Sequence, residues 1–366
     1  MTAGFHSPLP PARTGVADYA ALLLEALRRR GEVKVDSPGA GVSLYHIGNN
    51  QLHREIYGRA LARPGVVVLH DAVLHHFFLG CLERADYLEE FVFNYGEWNR
   101  GLAAVLWEDR AHSGQDSRYF DYPMLRRIAE VSRAVVVHNP AAARMVLRHA
   151  PHAVVHEVPH LFAPPPDVPA EEVLRLRQSM GITPQTFVFA VLGYLRESKR
   201  LPVVLRAFDA VRRQGVDSAL LVAGEFVSSD LTRAVEPLLA REDIRHIGHS
   251  ADHDFWQLAA ASDACVNLRH PGAGETSGIT VRLMGMGKPV IVSEGEEVSR
   301  FPADACLRVA RGAGEKDELV QHMVLLARAP ELAHGIGRRA AAHIRERHNI
   351  EAVADTYWEI LCACRD

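Results

Sequence analysis

Two short stretches carry side chains suited to holding an anion. GYLRESKR (193–200) sets Arg196 and Lys199 within one turn of each other, just past an apolar run that Gly193 closes. Two cations at a strand's end, close to the next helix, suit a diphosphate; a solvated basic loop is the alternative. GAGETSGITVRLMGMGKP (272–289) is a glycine-rich turn with a lone carboxylate, Glu275, that runs straight into a helical pattern. Thr276 and Ser277 are helix-capping types, and a helix starting near Gly278 presents free N–H groups through Ile279 together with the positive end of its dipole. An anion is held there without a metal. A carboxylate is a poor phosphate ligand but a good acceptor for sugar hydroxyls. Glu275 therefore makes sense if the anion is tied to a carbohydrate; otherwise Glu275 itself caps the helix.

Other candidates are weaker. In PLPPARTGVADY, Thr14 and Gly15 precede a helix expected to start near Val16, which is either a second phosphate-compatible entry or a plain strand–helix turn. His70 and Asp71 follow the run GVVVL and stand where a substrate would be met. Asp71 and His75 are four apart, as metal ligands on one helix face are, but no third ligand of matching spacing accompanies them, so no metal is expected. Asp252-His253-Asp254 has the spelling of a metal–diphosphate motif, yet it precedes a helix instead of following a strand, which favours capping or chance.

These residues need elements to position them. Val- and Ile-rich runs recur at 65–71, 133–139, 186–195, 218–226, 263–270 and 288–294, most of them followed by a helical pattern. Unalternating apolar strands are buried on both faces, and strand–helix alternation implies parallel sheets covered by helices. The proline-rich segment 159–172 reads as a stiff connector. It divides the chain into an α/β domain over 1–163, with a helical insertion near 80–130, and a second over 173–345; residues 346–366 form a last helix. Two such Rossmann-like domains would face a central cleft, with ligands outside the carboxyl ends of the strands.

Bulk properties narrow the function. The 366 residues have a formal net charge of -4, with acids matching bases, which argues against nucleic acid as a partner. The N-terminal residues lack the apolar core of a secretory signal, and no run is long and apolar enough to span a bilayer. The five cysteines form no CxxC pair and read as reduced thiols, with Cys362 and Cys364 as bystanders near the chain end. A cytoplasmic protein is expected.

Together, PLPPARTGVADY, LHDAVLHHFF, VVVHN, the VPH at 158–160, GYLRESKR, LLVAGE, ASDACVNLRHPGAGETSG and GKPVIVS resemble, in order and spacing, the retaining GT-B glycosyltransferases of family 4. The resemblance covers almost the whole chain. It implies an α/β GT-B fold of two doubly wound domains, a C-terminal helix crossing back to the first, and transfer of a sugar from a nucleoside diphosphate to an acceptor hydroxyl without metal or cofactor. It implies that Gly15 and Lys199 meet the donor phosphates, His70 the donor sugar and Glu275 the sugar hydroxyls. Two positions depart from the pattern. Tyr194 stands where an arginine is usual, with Arg196 as its substitute, and the second acid of the family's pair falls at Leu283. ETSG with Arg282 resembles a subgroup of bacterial surface-polysaccharide enzymes. The implied acceptor is a glycan or a lipid-linked glycan, the latter bringing the protein to a membrane surface. A non-catalytic nucleotide-sugar-binding subunit and another GT-B enzyme, such as a sugar-nucleotide epimerase, are the alternatives.

Overall fold

The computed structural model describes residues 2–37, 39, 41–248 and 252–365, with only the backbone of Asp252 and His253. The chain forms two compact units. Unit 1 comprises Met1–Ala163, Pro271–Thr276 and His348–Asp366; unit 2 comprises Pro164–His270 and Ser277–Arg347. The turn 271–276, which the sequence reading places in the second domain, thus belongs with the first.

Unit 1 holds a six-stranded parallel sheet of β1 (Thr2–His6), β2 (Glu32–Val35), β3 (Val42–Ile47), β4 (Val66–Leu69), β5 (Ala134–Val137) and β6 (Val155–Glu157), in the order β2-β1-β3-β4-β5-β6. β4 and β5 are buried at every position, which is why they read as uninterrupted apolar runs. Helices Arg84–Tyr95, Arg100–Glu108, Arg118–Asp121 and Arg126–Val131 lie between β4 and β5, as the aromatic-rich insertion anticipates. The last helix, Ile350–Ala363, packs on the first, Gly15–Arg28: the hydroxyls of Tyr19 and Tyr357 share a buried hydrogen bond of 2.9 Å, and Arg30 pairs with Asp355 at 2.7 Å and Glu351 at 3.1 Å.

Unit 2 holds β7 (Phe187–Leu192), β8 (Ser218–Ala223), β9 (Ile244–Ile247), β10 (Ala264–Asn267), β11 (Val290–Ser293) and β12 (Leu307–Val309), all parallel, in the order β12-β11-β10-β7-β8-β9. The order reverses between β7 and β10. In doubly wound sheets the crevice beyond the carboxyl ends of such a reversal is where ligands bind. The corresponding point in unit 1 lies between β1 and β3.

Candidate functional site

At the switch point of unit 2 the backbone is shaped before any side chain acts. Gly193 follows β7 with φ 83°, and its N–H donates to Ala223 O at 2.9 Å. Gly224, after β8, lies against the Gly193 carbonyl so closely that a β-carbon there would overlap it. Two strand ends are thereby brought together, in a backbone geometry that favours glycine.

The 3-10 turn Glu197–Lys199 follows. Lys199 is buried at 3% exposure, and its amine donates to Leu192 O. Burial holds the amine well below its usual lysine range, and the nearby cations Arg269 and Arg196 push the same way. A β-carbon on Gly193 would stand 3.5 Å from Lys199 Nζ and 3.3 Å from Ile279 Cδ1. The lysine and the first turn of the Gly278–Gly285 helix therefore meet over one glycine. Ser277 caps that helix, its Oγ accepting from Thr280 N–H at 3.3 Å and from Asn267 Nδ2 at 2.7 Å. A buried, desolvated lysine beside a capped helix start is a site that gains from negative charge.

Arg269 is not among the residues expected from the sequence, where the apolar segment runs through residue 270; β10 stops at Asn267 and leaves Arg269 at the strand's carboxyl end. Arg196 is exposed, its guanidinium 6.0 Å from the Tyr194 ring centroid. Leu283 is fully buried, so its side chain offers nothing to a bound ribose.

In unit 1, Thr14 caps the first helix, which begins at Gly15, one residue earlier than expected. A β-carbon on Gly15 would meet nothing within 4 Å, so the fold itself does not require glycine there. His70 follows β4, and its Nε2 shares a 2.9 Å hydrogen bond with Nδ1 of the fully buried His46. Tyr19 meets His70 edge-on at 4.9 Å and also contacts His46, His138 and His160. Asp71 and His75 serve the fold: Asp71 accepts from Asn49 N–H at 2.9 Å, while His75 bonds Tyr122 O at 3.0 Å and Tyr87 at 2.7 Å.

The turn carrying Glu275 is pinned to the ends of β4 and β5. Ala72 N–H donates to Ala273 O at 2.7 Å, and Asn139 Nδ2 donates to Gly274 O at 2.9 Å and Thr276 Oγ1 at 3.0 Å. Glu275 Oε2 accepts from Ala273 N–H at 2.7 Å. Glu275 is thus not the helix cap, a role Ser277 fills, and Thr276 is tied to Asn139 and His138 instead. The Asp252-His253-Asp254 stretch opens helix Asp252–Ala261; the side chains of Asp252 and His253 lie outside the described residues.

Residues 204–359 match the family model described as glycosyl transferase-like. No curated protein sequence matches the chain. Among solved structures, Anabaena HepE in complex with UDP-glucose is 13% identical, with 99% of this chain and 100% of that one covered at a TM-score of 0.67. Sucrose-phosphate synthase from Thermosynechococcus elongatus is 14% identical, with 99% of each chain covered at 0.69. WaaG, a glycosyltransferase involved in lipopolysaccharide biosynthesis, is 15% identical, with 99% of each covered at 0.63. The chain has the GT-B fold of two Rossmann-like domains that these structures share.

Proposed function

We propose that the protein is a retaining glycosyltransferase of family 4 that moves a sugar from a nucleoside diphosphate to an acceptor hydroxyl. One observation carries this reading: Lys199 and the capped start of the Gly278–Gly285 helix meet over Gly193, at the switch point of unit 2. The partial match to a glycosyl transferase-like family and the binding of UDP-glucose by HepE support it.

In this reading the donor diphosphate occupies that site. Bond cleavage gives an oxocarbenium-like sugar, and negative charge grows on the leaving diphosphate. Lys199, Arg269, Arg196 and the amides of Gly278 and Ile279 stabilise it, each preorganised donor lowering the barrier by about 3 kcal/mol. The side chains of unit 2 supply this charge stabilisation, so the scheme invokes no metal. By the resemblance, Gly15 lies near the phosphates, and His70 and Glu275 orient the sugar. The acceptor attacks on the leaving-group face, and a diphosphate oxygen takes its proton. A bacterial glycan or a lipid-linked glycan is the proposed acceptor, met in the cytoplasm or at the inner membrane face. Among the described residues no helix is long and apolar enough to cross a membrane.

A thermal-shift screen with UDP, GDP, ADP and their sugars identifies the donor, because a ligand of the native state raises its melting temperature. Lys199→Ala should abolish transfer with the fold intact, and unchanged turnover would remove the diphosphate assignment. Glu275→Gln should lower turnover far more than nucleotide affinity; equal losses would make the carboxylate a brace for its own turn. Leu283 favours a second reading, a nucleotide-sugar-binding subunit without catalysis. Release of nucleotide from the donor by the wild type rules that out.

A further inference from the structure

Arg200, next to Lys199, has a backbone conformation that its side chain does not favour. With φ 58° and ψ 28° it is one of three non-glycine residues at positive φ among those described. Left-handed geometry crowds a β-carbon against the following carbonyl, and glycine is the usual occupant. The guanidinium returns something for this: its Nε and Nη2 donate to Glu315 Oε2 at 3.0 and 2.7 Å. Glu315 is 2% exposed and opens helix Glu315–Arg328, whose dipole favours a carboxylate at that end. Arg200 is partly exposed but Glu315 is not, so removing the guanidinium leaves a buried carboxylate uncompensated.

The reversal at Arg200 ends the turn Glu197–Lys199 and starts the Leu201–Arg213 helix, with Val203 and Val204 N–H both donating to Arg200 O, at 2.8 and 3.1 Å. On the other side His270 N–H donates to Ser198 O at 2.8 Å. The turn is therefore tied at Ser198, Lys199 and Arg200 to three different segments of unit 2. Lys199 has a long, flexible stem, and the direction of its amine depends on how firmly this turn is held.

We propose that Arg200, through its ion pair with Glu315, is a positioning residue that locks the turn and aims Lys199 at the donor diphosphate. The inference rests on the diphosphate reading of unit 2. It assigns Arg200 no contact with the ligand, only a role acting through its neighbour.

Calorimetric titration of UDP, GDP and ADP into the wild type, Arg200→Gly, Glu315→Gln, Lys199→Ala and Lys199→Ala/Arg200→Gly tests it. Glycine accepts the left-handed backbone freely, so Arg200→Gly removes the guanidinium and relieves the strain. Where a single variant loses stability, Arg200→Gly/Glu315→Gln removes both partners and leaves no orphaned charge. The expected result is at least about tenfold weaker binding for Arg200→Gly and for Glu315→Gln, with native circular dichroism, from misplacement of one catalytic group. In the Lys199→Ala background, Arg200→Gly should cause no further loss, because residues acting as one unit are not additive. Additive losses, or wild-type affinity in Arg200→Gly, would overturn the proposal. So would a loss in Arg200→Gly with none in Glu315→Gln, which would make Arg200 a direct phosphate ligand. If the wild type binds none of the three nucleotides, the diphosphate reading itself fails and takes the inference with it.

Discussion

At the scale of single residues, Lys199 holds the most consequence. Its amine is buried beside two arginines, which disfavours the proton in the ligand-free protein. A bound diphosphate would reverse that balance, so binding must be coupled to proton uptake. The sign follows: affinity is highest at low pH, where the amine is charged in either state, and falls as the pH rises through the ligand-free pKa. Titration calorimetry in buffers of different ionisation enthalpy should show protons taken up on binding once the pH lies above the ligand-free value of the amine, and Lys199→Ala should abolish that uptake. A proton count of zero in the wild type at every pH up to the usual lysine range would place the anion elsewhere. Lys199, Gly193 and Ser277 were legible in the sequence because their types follow apolar runs at the spacing of strand, turn and helix. Arg269 was not, since a run of apolar residues does not show where pairing stops. Arg200 was not either, because a residue's φ is invisible when the chain spends arginine where glycine would serve.

At the scale of elements, the Gly278–Gly285 helix separates capping from anion binding. Ser277→Ala removes the acceptor for Thr280 N–H and should cost about 1 kcal/mol in urea unfolding. Ser277→Asp restores an acceptor of the preferred kind, yet sets a negative charge beside the proposed phosphate site. Stability should therefore recover in the aspartate variant while nucleotide affinity falls below that of the alanine variant. Parallel recovery of both would show that no anion meets this helix start. The same scale explains which strands the sequence revealed. β4, β5, β7, β8, β10 and β11 consist mostly of Val, Ile, Leu, Ala and Phe, and they announce themselves. β3 is just as buried but carries Ser43 and His46 inside, and β1 sets only Ala3 and Phe5 among Thr2, Gly4 and His6. The edge strands β2, β6 and β9 are partly exposed and too polar for burial to imprint a pattern.

Across the whole molecule, titratable chemistry is unevenly shared between the two units, and this sets the response to acid. Unit 1 buries His46, His53, His75 and His138 and partly encloses His70, all held by neutral hydrogen bonds to carbonyls, to tyrosine and to one another. Burial lowers His53 and His138 to about 4 and His75 to about 3, and holds His46 and His70 well below their usual range. In unit 2 burial also lowers His270 and His343, but these two rings are only partly enclosed and no value is pushed as far as those of unit 1. Above the ordinary histidine value of 6.5 the rings are neutral in folded and unfolded chains alike, so their burial costs no proton. As the pH falls through 6.5 the unfolded chain binds protons that the folded unit 1 refuses, and stability drops until the folded rings titrate near 4. Each such ring is worth roughly 3 kcal/mol over that interval. Hydrogen exchange read by mass spectrometry at about pH 7.5 and about pH 5 should show protection lost first in the strands of unit 1, with unit 2 changing less. His138→Asn, which cannot titrate, should flatten the acid dependence of unit 1 even if it lowers stability at neutral pH. Earlier loss of protection in unit 2 would mean that carboxylate protonation outweighs the buried histidines.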